Sequence, residues 1–208
     1  MPWEGPPAPY RIETERLVLR CWEPRDAPLL KDALDSSLEH LRPFMDWAHD
    51  EPEPVAAKAA RLRAFRALFD TGESFVMGIF DRAEAQVLGG TGFHPRIGPG
   101  GLEIGYWVRA SATRQGIATE TTAALTRVGF EVCEADRIEI RIEPRNAASF
   151  GIPRKLGFAE EATLRRRLPG QRGGPLRDVT IFTLFREDFD PAIASELRAF
   201  DARGEPVL

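Results

Sequence analysis

The segment Leu102–Glu120, LEIGYWVRASATRQGIATE, runs from an apolar strand through a short polar loop into Gly116 and then a helix. That arrangement can bind an anion. A helix starting at a glycine presents backbone N–H groups with no partner inside the helix, and the aligned peptide dipoles add about half a positive charge there. Gly116 lacks the Cβ that would hold a phosphate off the main chain, and Ala118 and Thr119 continue the clearance. Ile117, Thr121, Leu125, Val128 and Val132 recur at helical spacing, with Glu120, Arg127 and Glu131 away from that stripe. A plain glycine turn joining a strand to a helix explains this segment, taken alone, at least as well. The chain has no Gly-x-x-x-x-Gly-Lys-Ser/Thr loop and no Gly-x-Gly-x-x-Gly fingerprint around Gly116, so neither familiar nucleotide-binding loop is present.

These residues sit in a chain of 208 residues with 43% hydrophobic content, enough for one domain with a substantial core. No apolar run approaches a membrane span, and the start MPWEGPPAPY lacks the apolar core of a secretory signal. A cytoplasmic protein with no membrane partner is therefore expected. Cys21 and Cys133 are too few for a disulfide framework or a zinc cluster and read as buried small hydrophobes. His40 and His49 form no obvious metal cluster, so no metal is expected. The net charge of −4 argues against nucleic acid as a partner. Charge is uneven: 137–177 is basic and 39–53 acidic, which suits either ligand recognition or ordinary solvated surface.

The elements that must carry the loop follow from periodicity. Residues 1–10 read as a flexible N-terminal segment, 11–187 as one domain, and 188–208 as a polar C-terminal extension with a helical patch at 192–200. Strands are expected near 17–21, 74–80, 86–97, 102–108, 137–143, 159–167 and 178–186, and helices near 24–38, 55–69, 116–132 and 146–155. The alternation Arg137-Ile-Glu-Ile-Arg-Ile-Glu143 is the clearest strand, while Pro153 is awkward inside the last helix. The segment 41–54, with Phe44, Met45 and Trp47 among prolines and acids, reads as a rim loop.

The order strand, glycine-led helix, alternating strand, then Asn146 and Leu156-Gly157-Phe158 resembles the GNAT superfamily of acetyl-CoA-dependent N-acetyltransferases. IETERLVLR, EIGYWV, PRNAAS and KLGF look like its RimJ/RimL-type branch, over roughly 11–187. The resemblance implies an α+β GNAT fold: a mixed central sheet of about six to seven strands, splayed at the acetyl-CoA cleft and flanked by about four helices. It implies an N-acetyltransferase using acetyl-CoA as cosubstrate, acting on a protein N-terminus or on a small amine or antibiotic. A non-catalytic acetyl-CoA sensor and, more remotely, a plain nucleotide-binding domain are the other readings. Dimerisation is common in that family, so a homodimer is compatible with it, although no segment announces an interface.

The family loop pattern falls on Thr113-Arg-Gln-Gly116-Ile-Ala118, implying a backbone cradle over Arg114, Gln115, Gly116, Ile117, Ala118 and Thr119. Thr113 departs from the usual Arg or Gln. The preceding strand is expected to bulge at Trp107 and Val108, whose backbone groups would contact the cofactor. Asn146 resembles the asparagine that bonds the cofactor arm, and a helix cap would suit it too. The position of the usual thiolate-protonating tyrosine holds Pro153, which leaves Ser149 as the substitute candidate, for cofactor contact as well as catalysis. Attack of an amine on a thioester also requires a neutral amine. Glu103 is the first candidate base, either raised in pKa by burial or simply paired with Arg137 or Arg141. His94 is the second, with a more convenient intrinsic pKa. The acceptor is expected between Phe44 to Glu53 and the strand around Phe93, with Phe44, Trp47 and Phe93 as contacts.

Overall fold

The computed structural model describes residues 2–194 and 196–208. Strands β1 (Arg11–Glu13) and β2 (Leu17–Cys21) lead into α1 (Ala27–Asp35) and the single turn α2 (Leu38–Leu41). A rim loop then precedes α3 (Val55–Asp70), followed by the meander β3 (Phe75–Asp81), β4 (Val87–His94) and β5 (Gly101–Val108). Helix α4 (Ile117–Glu131), β6 (Arg137–Ile142), α5 (Ala147–Lys155), β7 (Ala159–Leu168), β8 (Arg177–Phe185) and β9 (Arg198–Phe200) complete the chain.

All nine strands form one mixed sheet, in the order β7-β8-β6-β5-β4-β3-β2-β1-β9, which corrects the expected six to seven. The two additions, β1 and β9, are three residues each. Strands so short leave no alternation to read. β9 also replaces the expected helical patch at 192–200: among its described residues only 191–194 is helical, as a 3-10 turn, and Ala199 is fully buried on the sheet edge. Residues 2–10, expected to be loosely packed, are pinned by the Trp3 N–H donating to the Gly72 carbonyl at 2.8 Å. The Tyr10 hydroxyl donates to Asp70 at 2.5 Å, and Ala8 is buried.

Alternation on the strands divides the core between two faces. On one, α4 and α5 cover Leu102, Ile104, Ile138 and Ile140. On the other, α1 and α3 cover Val18, Trp22 and Phe80, with Leu30, Leu34 and Leu62 contributed by the helices. Between these layers the sheet opens. β5 pairs with β6 in parallel only over Gly101↔Arg137, Leu102↔Ile138 and Glu103↔Glu139, so its edge facing β6 has no partner beyond Glu103. Its ladder with β4 runs without a register shift from His94↔Glu103 to Gly89↔Val108. The expected bulge at Trp107 and Val108 is therefore absent from that ladder. The strands part because β6 stops following β5.

Candidate active site

The opening between β5 and β6 forms a cleft of about 640 Å³ that reaches both faces of the sheet. Toward α4 and α5 it is lined by Tyr106, Asn146 and Ser149; toward α1 and α3 by Phe44, Met45 and Trp47.

The loop leading into α4, which lies outside the residues lining the cleft, is built as its residues require. Gly116 is the N-cap of α4 with φ +82°, a left-handed conformation that a Cβ disfavours. The first N–H groups of α4 have no intrahelical acceptor, the Glu120 N–H being the first to reach back, to the Gly116 carbonyl. Arg114, Gln115 and Gly116 are exposed there, with Ala118 and Thr119 half-buried and Ile117 turned into the core. Val108 is packed against the α4-side core.

One residue the sequence reading passed over braces this loop. Arg16, within the IETERL motif, donates through Nε to Glu120 Oε2 at 2.7 Å and through Nη1 to the Gln115 carbonyl at 3.0 Å. Thr14 Oγ1 donates to the other Glu120 oxygen at 2.6 Å. A Cβ on residue 116 would stand 3.3 Å from the Arg16 guanidinium. The motif was visible, but its pairing with Glu120 was not.

Asn146 occupies the N-cap position of α5 yet makes no side-chain cap bond, so the helix-cap role is not taken and the amide lines the cleft. Pro153 lies inside α5 without ending it, and the helix runs on through Lys155.

Tyr106 carries a second unanticipated feature. Its hydroxyl is buried with no hydrogen-bond partner. Ser149 is close enough to draw the phenol's pKa down, without forming a well-aligned hydrogen bond, but burial outweighs it and pushes the phenol up to about 12. A buried, unpaired hydroxyl costs about 1–3 kcal/mol, so one on a cleft wall marks a place where a ligand atom completes the bond.

Each of the two candidate bases is engaged by neighbouring groups, Glu103 taking the paired alternative. Glu103 is 6% exposed, and Arg96 grips both its oxygens, Nε to Oε2 at 2.9 Å and Nη2 to Oε1 at 2.6 Å. Arg141 stands 3.8 Å away, whereas Arg137 is directed to Glu139. The other carboxylate lining the cleft, Glu143, is likewise held by Arg145 and by Arg177, the latter at 2.5 Å. His94 Nδ1 pairs with Ser74 Oγ at 2.9 Å. Burial and the nearby Arg96 push its imidazole down to about 4, so it is neutral at working pH and a feeble proton acceptor, contrary to the convenient pKa expected.

The rim loop brings Phe44 and Trp47 to the cleft wall, Trp47 edge-on to Trp107 with centroids 6.1 Å apart. Phe93 is not among them. The β4 alternation that turns His94 into the cleft turns Phe93 the other way, fully buried against Gly129 of α4. The loop itself is anchored by a buried charge network. Lys58 on α3, fully buried, pairs with the buried Glu51 and with Glu53 at 3.0 Å, while Arg42 donates to the Glu51 carbonyl at 2.8 Å.

Both cysteines are free and buried, with thiols pushed up to about 12. Among the described residues no His, Cys, Asp and Glu group is placed to hold a metal, and no helix is long and apolar enough to cross a membrane.

Comparison with known proteins adds a consistent family likeness. The model of an acetyltransferase (GNAT) domain matches residues 16–159. An uncharacterized N-acetyltransferase p20 of Bacillus licheniformis is 28% identical over 86% of this chain and 97% of its own. The [ribosomal protein uS5]-alanine N-acetyltransferase of Escherichia coli (strain K12) is 26% identical over 87% and 93%. Among solved structures, Mycobacterium smegmatis RimJ in complex with CoA-disulfide superposes with a TM-score of 0.76 at 26% identity, covering 93% of each chain.

Proposed function

Since the chain belongs to the GNAT acetyltransferase family, we propose that it transfers an acetyl group from acetyl-CoA to the α-amine of a polypeptide N-terminus. The observation that carries this choice of acceptor is the state of the cleft's proton acceptors. Glu103 and Glu143 are each held by two guanidiniums, and His94 sits at about 4. An α-amine near pKa 8 costs about 1.4 kcal/mol to deprotonate at pH 7, against about 4.6 kcal/mol for a lysine amine. Passing the α-amine's proton to His94 would be uphill by about 4 units, or roughly 5 kcal/mol. A site without a strong free base suits an acceptor that loses its proton to water unaided.

The residues fit the cosubstrate in three places. The N–H groups after Gly116 would take its pyrophosphate, the unpartnered edge of β5 from Ile104 to Val108 its extended arm, and the uncapped Asn146 amide the same arm. When bound, acetyl-CoA supplies the electrophilic carbonyl and a thiolate leaving group. Phe44 and Trp47 orient the acceptor, the amine nitrogen bonds to the carbonyl carbon, the C–S bond breaks, and the ammonium proton leaves to water. Tyr106 or Ser149, both lining the cleft, would supply the hydroxyl that donates to the departing sulfur. With a pKa of about 12, Tyr106 remains protonated. Giving its proton outright to a thiolate near 8.5 would cost roughly 5 kcal/mol, so its contribution is a hydrogen bond and the proton itself comes from solvent.

The test is thiol release from acetyl-CoA with four acceptor classes: free N-terminal peptides, N-blocked lysine peptides, polyamines and aminoglycosides. Turnover confined to free N-termini is expected. Preference for blocked lysine peptides or aminoglycosides would refute the assignment.

A further inference from the structure

We infer that the β7–β8 hairpin is a docking surface for acidic residues that follow the acceptor's N-terminus. The inference rests on the polypeptide-acceptor reading and narrows it to a substrate class. β7 is the sheet's outer strand, and its register with β8 passes from Leu164↔Val179 to Leu168↔Arg177. Two more residues are used on β7 than on β8, so Arg165, Arg166 and Arg167 form a bulge. Arg166 takes φ +57°, a left-handed conformation uncommon outside glycine, and its N–H donates to Asp178 Oδ1 at 2.8 Å. Strained bulges of this kind re-aim side chains at the edges of sheets.

What the bulge presents is unpaired positive charge. Arg165, Arg166 and Arg167 are exposed, as is Arg172 in the turn that follows. Among the described residues none of their side chains has a carboxylate partner. Most other arginines of the chain do: Arg20 with Asp26, Arg96 with Glu103 and Arg177 with Glu143 are examples. Edge strands use charge to repel other strands, but a single charge or a bulge achieves that. Three adjacent cations held in a strained bulge exceed the requirement.

The placement connects this charge to the acceptor. Leu168 and Arg177, the pair closing the bulge, line the cleft. Gln171 Nε2, in the hairpin turn, donates to the carbonyls of Arg42 and Pro43 at 3.0 Å each, and Arg145 donates to the Pro43 carbonyl at 2.5 Å. The hairpin is thus stitched to the loop carrying Phe44 and Trp47. From Leu168 to Arg165 is three residues, roughly 10 Å of strand, a span that about three extended acceptor residues cover. An acceptor with its amine in the cleft would carry its fourth and later residues past these arginines. The overall charge of −4 disfavours nucleic acid, leaving an acidic polypeptide as the occupant.

The experiment measures binding, by fluorescence anisotropy, of two labelled decapeptides to the full chain. Both begin with a free amine and three neutral residues; one then carries Asp and Glu, the other Asn and Gln. The acidic peptide is expected to bind about tenfold more tightly at low salt, with most of the gap lost at about 0.5 M salt. The ratio should fall toward one in R165S/R167S, and because both peptides are measured on one preparation, lost folded protein cancels. Equal affinity, a gap that survives salt or the double variant, or tighter capture of a single-stranded RNA of equal charge would overturn the inference. Thiol release with the same peptides is read separately: tight acidic binding without acetylation would refute the α-amine reading and leave the docking surface standing.

Discussion

Replacing Tyr106 with Phe separates function from stability at one atom. The substitution removes only a hydroxyl that is buried on the cleft wall and unpaired. In the free protein that oxygen contributes no bond and carries a desolvation cost, so Y106F should be as stable as the parent or more so, by up to about 1–3 kcal/mol. During transfer the same hydroxyl would donate to sulfur as charge develops, a charge-assisted bond worth about 1.5–3 kcal/mol. That corresponds to a fall in kcat of roughly 10- to 150-fold, below the most severe losses of an oxyanion donor. KM for acetyl-CoA should change little, since the bond strengthens only in the transition state. Urea unfolding gives the first quantity and initial rates of thiol release give the second. A variant that loses stability, or one that keeps full kcat, would show that the orphaned hydroxyl is a packing accident and not a donor awaiting the leaving group.

Other expectations follow from the same geometry. G116V forces a β-branched residue to φ +82° with its Cβ 3.3 Å from Arg16, at about 1–2 kcal/mol for the backbone alone. It should abolish the rise in Tm that CoA gives the parent, measured by thermal denaturation. K58M strands the buried Glu51 carboxylate, with Arg61 at 3.4 Å as its remaining counter-charge. A loss of roughly 3–5 kcal/mol in urea unfolding is expected, largely recovered in K58M/E51Q, with acceptor KM rising more than acetyl-CoA KM. His94 imposes a pH dependence whose sign is fixed by its depressed pKa. An unfolded imidazole near 6.5 gains a proton that the folded one refuses until about 4, so stability is full above 6.5 and falls with pH by about 3 kcal/mol across that window. H94Q should lack this component of the slope in unfolding curves taken from pH 7 to pH 4.

The sequence by itself determined what depends on near neighbours along the chain. Gly116 at the head of an amphipathic helix, the alternation from Arg137 to Ile142 and the order of elements around them specified that helix start, that strand and the family. These are matters of backbone conformation and periodicity, set within a few residues. The rim position of Phe44 and Trp47 was legible too, because a proline-broken, acidic stretch does not form a core element. Tertiary structure decided everything that turns on which distant group a side chain meets. Arg16 and Glu120 are 104 residues apart, yet their contact braces the loop. Glu103 was available as a base until the fold brought Arg96 onto both its oxygens. No role for Tyr106 was legible in the sequence, and only folding buried its hydroxyl beside Ser149. His94 lines the cleft and Phe93 does not because one residue of strand phase sends a side chain to the opposite face of the sheet. Spacing along a chain fixes local geometry, but charge pairing and burial are properties of proximity in space, and long-range contacts create them only when the sheet closes.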